Sequence, residues 1–236
     1  MSSQRLLETV TQKVRGTVCA VPFIIITEPI MFLHRLYQIT LVSLAFAFAS
    51  TTVNAEPVVD KPAPLFSGAA ADGSTIKLAD LHGKTVVLEW TNHECPFVVK
   101  HYESGNIPNL QKDAVAKGIV WLQVITSAPG KQGNVDGETA RKLNTHRGAT
   151  PTNTVLDSDG SIGKLYGATN TPQFFIIDPQ GVLVYKGGID SIPSADQSDI
   201  GKAENYVSAA LADLAAGRKV AKSSTKPYGC SVKYAG

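Results

Sequence analysis

Apolar and polar positions change their period several times along the chain, and each change marks an element. Thr85-Val86-Val87-Leu88-Glu89-Trp90 is a nearly continuous apolar run, the pattern of a strand buried on both faces. The same reading places strands over 85–91, 119–126, 154–157, 174–178 and 182–186. Residues 65–81 read as a hairpin turning at Asp72-Gly73, a dipeptide suited to a tight two-strand turn. Phe97, Val98 and His101 share one face of a helix running from Pro96 to about Glu103. A second helix is predicted over 107–117, stopped by Gly118, a polar one over 138–147, and one or two turns over 161–167. Ala203, Tyr206, Val207, Ala210, Leu211, Leu214 and Ala215 fall at helical spacing in a last helix that Gly217 ends. Pro57, Pro62 and Pro64 make 56–64 an extended lead-in, and the Gly-rich polar stretch 127–137 reads as a loop. Strands and helices alternate first, and a hairpin and a helix follow. The fold class is therefore α/β: a central mixed sheet flanked by helices, with an N-terminal β-hairpin and a C-terminal tail.

The chain has 236 residues, but its start reads as a targeting segment. His34 and Arg35 form a short basic region after Met31, and Ile39 to Ala49 is apolar. Val53-Asn54-Ala55 offers small residues at a cleavage site. The expected organisation is an upstream extension over 1–30 that does not belong to the native protein, a signal peptide over 31–55, a folded domain over 56–217, and a tail over 218–236 carrying Cys230. A membrane anchor over 36–53 is the alternative. The run is short for a span of ~20 residues and holds Ser43 and Ser50, which favours cleavage. No cysteine follows Ala55 directly, which argues against a lipid anchor. The expected location is periplasmic or secreted, with membrane contact only through a retained signal.

Charge narrows the partners. Of 22 Lys/Arg and 20 Asp/Glu, four and two respectively lie within 1–55, so residues 56–236 carry no net charge. With no basic stripe, nucleic acid is not an expected partner. Two of the three cysteines remain after 55, Cys95 and Cys230, and an exported compartment permits one bridge between them.

The chemistry centres on Asn92-His93-Glu94-Cys95-Pro96-Phe97-Val98. Cys95 stands between a strand and a helix that Pro96 is suited to begin. At a helix N-terminus a cysteine meets unpaired N–H groups and the positive end of the dipole, and both favour the reactive thiolate. A structural role for a buried cysteine is the plain alternative.

These residues, with Leu88-Glu89-Trp90 before them and Asn170-Thr171-Pro172 and Phe174-Phe175-Ile176-Ile177-Asp178-Pro179-Gln180-Gly181 after them, resemble the thioredoxin-like superfamily. The match is to its redoxin (alkyl hydroperoxide reductase/thiol-specific antioxidant) branch and spans about 62–234. An exported peroxiredoxin-like subgroup carries a similar Asn-x-x-Cys-Pro-Phe run and a Gly-Cys-Ser-Val-Lys-Tyr tail, here Gly229 to Tyr234. The resemblance implies a thioredoxin fold, Cys95 as nucleophile, and Pro172 as a cis-proline facing it on a loop whose backbone can pair with a bound peptide. The sequence also departs from the pattern. Val98 stands where thioredoxins place a second cysteine and peroxiredoxins their peroxidatic one. Pro172 stands where peroxiredoxins have a catalytic arginine. Peroxidase activity does not carry over.

Cys230 is the candidate resolving cysteine. A structural disulfide of the same pair, and an unpaired Cys230, remain open. His93 and His101 flank Cys95 and can lower its pKa as imidazolium or act as base when neutral, though either can be an ordinary surface or helix-face histidine. Glu94 raises the pKa of Cys95 if its charge points inward, or relays protons. Trp90 either shields the site or, as the end of an apolar strand, belongs to the core. Cys95, Cys230, His93 and His101 together also have the chemistry of a Cu(I) or Zn(II) site. The expected function is an exported thiol–disulfide oxidoreductase. It needs no cofactor or metal, acts on a protein or small-molecule thiol, disulfide or peroxide, and is restored by an external thiol reductant. The rivals are a thiol peroxidase, a periplasmic copper-binding module and a non-catalytic redoxin scaffold.

Overall fold

The computed structural model describes residues 56–236, so the readings made over 1–55 lie outside the described residues. Nine strands and five α-helices follow. In chain order they are β1 Ser67–Ala70, β2 Thr75–Lys77, β3 Val86–Trp90, α1 Pro96–Glu103, α2 Asn106–Ala116, β4 Val120–Ile125, α3 Gly137–His146, β5 Asn153–Leu156, α4 Ser161–Tyr166, β6 Asn170–Thr171, β7 Gln173–Ile177, β8 Leu183–Gly187, α5 Tyr206–Ala215 and β9 Cys230–Ser231.

Seven strands form one sheet in the order β2-β1-β5-β4-β3-β7-β8. β3, β4 and β5 run parallel, while β1 and β7 join antiparallel on either side. The central strands alternate between two cores, as the two-residue period of a strand requires. Val86, Leu88 and Trp90 of β3, Leu122 and Val124 of β4, and Phe175 and Ile177 of β7 face one core with Tyr166 of α4. Val87, Trp121, Phe174 and Ile176 face the other, against Val98 and Tyr102 of α1, Ile107 of α2 and Val207 of α5. Burial on both faces explains why these strands read as apolar runs rather than alternating ones.

One acid interrupts the run. Glu89 is fully buried and points among the helices. Its carboxylate accepts hydrogen bonds from Tyr102 Oη at 2.5 Å, Trp121 Nε1 at 2.7 Å and Gln111 Nε2 at 2.9 Å. Gln123 Nε2 donates to the same Tyr102 oxygen at 2.7 Å. Burial pushes the Glu89 pKa up, while the donors pull against that rise. The network ties β3 and β4 to α1 and α2 through polar groups inside an apolar layer.

The last helix starts later than its apolar spacing predicts. Asn205 caps it, accepting from Ser208 N–H at 2.9 Å, so Ala203 lies outside. The two-residue β6–β9 ladder has no apolar period to announce it. Residues 218–236 are laid along the domain: Lys186 of β8 exchanges backbone hydrogen bonds with Ser223 and Thr225 at 3.0 Å each. Tyr228 and Cys230 pack on the helical core, and Val232 and Tyr234 pack on the other.

Glu89→Ala leaves three buried donors without their acceptor. It is expected to lower unfolding free energy by about 3–5 kcal/mol, with Glu89→Gln losing less than half as much. Denaturant unfolding monitored through Trp90 and Trp121 fluorescence checks both.

Candidate active site

Between the end of β3 and the start of α1 the chain must turn without regular pairing, and Asn92 shapes that turn. Its carbonyl accepts from Cys95 N–H at 3.1 Å, and its Oδ1 accepts from Glu94 N–H at 3.0 Å. The result places Cys95 at the N-cap of α1 with extended backbone, and Pro96 as the first helical residue. The Cys95 carbonyl takes the N–H groups of Val98 and Val99 at 2.8 and 2.9 Å. The helix-start position foreseen for the cysteine is therefore met. Its sulfur, however, makes no capping hydrogen bond with the helix N–H groups. Sγ lies instead 3.2 Å from the Thr171 carbonyl oxygen.

Thr171–Pro172 is a cis peptide, and the backbone just before it is not open. β9 pairs with β6 antiparallel, matching Asn170 with Ser231 and Thr171 with Cys230. Asn170 Nδ2 donates to the Gly229 carbonyl at 3.0 Å, and Val232 N–H to the Thr169 carbonyl at 3.0 Å. The chain's own C-terminal strand thus takes the place the resemblance reserved for a bound peptide. This pairing carries Cys230 onto Cys95, and the two form a disulfide with Cα atoms 6.0 Å apart. Gly229 has a positive φ of 117°, and a β-carbon there would collide with the Thr171 carbonyl. Only glycine lets the strand lie this close. Cys95 is completely buried, whereas Cys230 is half-buried.

The flanking residues divide. Glu94 is exposed, and its Oε2 accepts from Gly133 N–H at 2.6 Å. Asn92 Nδ2 and Gln132 add contacts at 3.3 Å each between the same two loops. Glu94 thus fastens the Gly-rich loop beside the site and hydrogen-bonds nothing on Cys95. His93 is half-buried, and burial lowers its pKa against the pull of Glu94. Trp90 is core, donating from Nε1 to Thr126 Oγ1 at 3.0 Å. Among the described residues no group of three or more His, Cys, Asp or Glu side chains is placed to hold a metal ion. Cys95, Cys230, His93 and His101 are not gathered as a ligand set.

His101 is fully buried and belongs to a cluster the sequence did not reveal. Asn106 Nδ2 lies 2.8 Å from its Nδ1 and donates to it, which leaves the neutral ring's proton on Nε2. That nitrogen is 3.2 Å from Tyr228 Oη. The Tyr228 hydroxyl in turn donates to Asp190 Oδ1 at 2.6 Å. Lys100, also buried, donates to the Ser194 carbonyl at 3.0 Å and stands 4.0 Å from Asp190 Oδ2. Tyr228 also meets Phe97 edge to face at 5.9 Å. Two residues before Cys230, Tyr228 is therefore the anchor that sets the C-terminal segment on α1. Sequence carried one signal for it: an aromatic residue with a polar tip inside an otherwise polar tail.

Burial lowers the His101 pKa to about 4, although the Asp190 carboxylate opposes the fall. The neutral ring is thus the folded form. Its contribution is complete above the unfolded value of about 6.5 and is lost as pH falls toward about 4. Oxidised protein is expected to lose on the order of 2–3 kcal/mol more across that window than His101→Gln does. Urea unfolding at a series of pH values measures the difference.

The model of the AhpC/TSA family matches residues 59–186. That stretch holds Cys95 and Pro172 and ends before Cys230. No curated protein matches the chain. An uncharacterized conserved protein of Geobacillus kaustophilus superposes with a TM-score of 0.63 at 25% identity, over 75% of this chain and 93% of that one. A hypothetical protein of Sinorhizobium meliloti 1021 gives 0.64 at 21% identity, over 77% and 97%. A putative thiol:disulfide interchange protein DsbE of Chlorobium tepidum gives 0.45 at 23% identity, over 56% and 85%. With more than half of its length matched by the family model, and with a thioredoxin-like mixed sheet presenting a cysteine opposite a cis-proline, the chain belongs to the AhpC/TSA family.

Proposed function

We propose that the protein is an exported thiol–disulfide oxidoreductase in which Cys95 is the nucleophile and Cys230 the resolving cysteine. The observation that carries this reading is the cross-link itself. It joins a cysteine at a helix start, facing a cis-proline loop, to a cysteine on a short strand that pairs with that loop. A sulfur at a helix N-terminus is a favourable leaving and attacking group, and a two-residue strand is a light attachment for its partner.

The bridge is reached from the Cys230 side, because Cys95 has no exposed surface. A donor thiolate attacks Cys230 Sγ, the Cys95–Cys230 bond breaks, and Cys95 departs as thiolate. A second donor thiolate attacks the donor sulfur of the mixed disulfide and frees Cys230. Two donor thiols are then oxidised to a disulfide and the pair is reduced. With β9 released, Cys95 thiolate attacks one sulfur of a substrate disulfide, and the departing thiolate takes a proton. Cys230 then attacks Cys95 Sγ, releases the second substrate thiol and restores the bridge. The net direction follows the potentials of the two partners. Export is supported by the basic-then-apolar segment at 34–49 and the small residues ending at Ala55.

Trapping tests the assignment. Reduced Cys230→Ser, in a Cys19→Ser background, is expected to accumulate a one-to-one adduct on Cys95 with a peptide disulfide. Cys95→Ser is expected to lose turnover by at least about 100-fold. Turnover indifferent to Cys95→Ser, or an adduct that never forms on Cys95, overturns the reading.

A further inference from the structure

A cavity of about 400 Å³ opens between α1 and α3, beside the cysteine's own turn. Val98, Val99 and Leu143 give it an apolar wall, and His93, Tyr102 and Arg147 give it polar groups. Its volume lies in the usual range for small-ligand sites. Val98 and Val99 are the residues whose N–H groups the Cys95 carbonyl accepts, and His93 precedes Cys95 by two positions. Anything seated here lies against the first turn of the helix that Cys95 caps. A larger cavity of about 830 Å³ is lined by Thr85, at the opposite end of β3, and by Pro179 and Gln180.

Arg147 gives the smaller cavity its character. Its guanidinium stacks 3.7 Å over the Tyr102 ring, and one terminal nitrogen donates to Asn144 Oδ1 at 2.9 Å. Its Nε is buried, and no hydrogen-bond partner meets it among the described residues. A guanidinium fixed by stacking holds its charge and its remaining terminal N–H donors in one place, a charge-assisted partner for a carboxylate. His146 also lines the cavity, and the single acid there, Glu103, is engaged by Gln197 Nε2 at 3.1 Å. An apolar wall beside a fixed cation suits a small organic anion.

We propose that this cavity is a substrate site for a low-molecular-weight thiol or disulfide bearing a carboxylate. Arg147 takes the carboxylate, and the apolar wall of α1, whose first turn follows Cys95, takes the intervening chain. The role as a substrate site rests on the reading of Cys95–Cys230 as an exchanging pair; binding of the carboxylate does not.

Two measurements separate these claims. In the first, oxidised full-length protein is titrated with S-methylglutathione, which has carboxylates but no exchangeable sulfur, and with its dimethyl ester. The free acid is expected to shift the His93 ring resonances and to bind at least about 10-fold tighter than the ester. Arg147→Gln is expected to weaken the acid by a similar factor, with Arg147→Lys between the two. Equal binding of acid and ester, or binding of the acid unchanged by Arg147→Gln, overturns the proposal, and the ester comparison needs no variant to fold. In the second, exchange with dianionic 3,3′-dithiodipropionate is compared with exchange with neutral bis(2-hydroxyethyl) disulfide. The anionic-to-neutral ratio of kcat/KM is expected to fall about 10-fold in Arg147→Gln. An unchanged ratio overturns the substrate role. Carboxylate binding together with no exchange of either disulfide would also remove it, by refuting the oxidoreductase reading rather than the site.

Discussion

The closure of β9 onto the backbone before Pro172 is the constraint on which the site depends. An unpaired strand edge is a standing invitation to another chain. Here the protein fills that edge with its own residues 230–231 and locks them with the Cys95–Cys230 bond. One contact therefore does three things. It lays β9 against Asn170 and Thr171, hides Cys95 completely, and leaves Cys230 as the accessible side of the bridge. The bond closes a loop of 135 residues in sequence separation, worth about 5 kcal/mol on a chain-entropy model. The pair thus has a structural consequence whether or not it also exchanges.

Two buried polar clusters hold α1 so that this closure is possible. Glu89 gathers Tyr102, Trp121 and Gln111 beneath the helix. Asp190, His101, Lys100 and Tyr228 form the second, reached from the neighbouring positions on α1 and from the C-terminal segment. Within one short helix, adjacent Lys100 and His101 thus turn to Asp190 while Tyr102 turns to Glu89. Buried networks of this kind are costly when broken, because each lost partner strands another polar group in a low-dielectric interior. The disulfide is not the sole attachment of the segment: Tyr228 and Thr225 hold it as well, the latter within 2.7 Å of Tyr185 Oη. Release of Cys230 can then be local, through β9, without loosening the rest.

The sheet was legible because a strand buried on both faces leaves a long apolar run, as in 86–90, 120–125 and 173–177. The start of α1 was legible for a different reason: Pro96 directly after Cys95 signals a helix entry. The β6–β9 ladder was not, since two residues have no period. The role of His101 was half legible. Its spacing with Val98 announced a buried face, but Tyr228 stands 127 positions away and nothing local links them. Glu94 neighbours Cys95 in sequence, and its contact with the Gly133 loop had no local signal. Glu89 went unmarked although its sequence signal is strong: an acid inside a run of Val, Leu and Trp must have buried donors waiting. Cys230 was legible as a candidate partner through its tail motif, while its docking through Gly229 and Tyr228 required the structure.

The central claim is that the Cys95–Cys230 bond exchanges with external thiols under ordinary conditions. Its reduction potential tests this most directly, by thiol trapping of the full chain in a Cys19→Ser background across thiol buffers of graded potential. The account predicts a reversible two-electron transition between about −270 and −120 mV. A bridge still closed below about −300 mV would contradict it and leave the pair a staple of the fold.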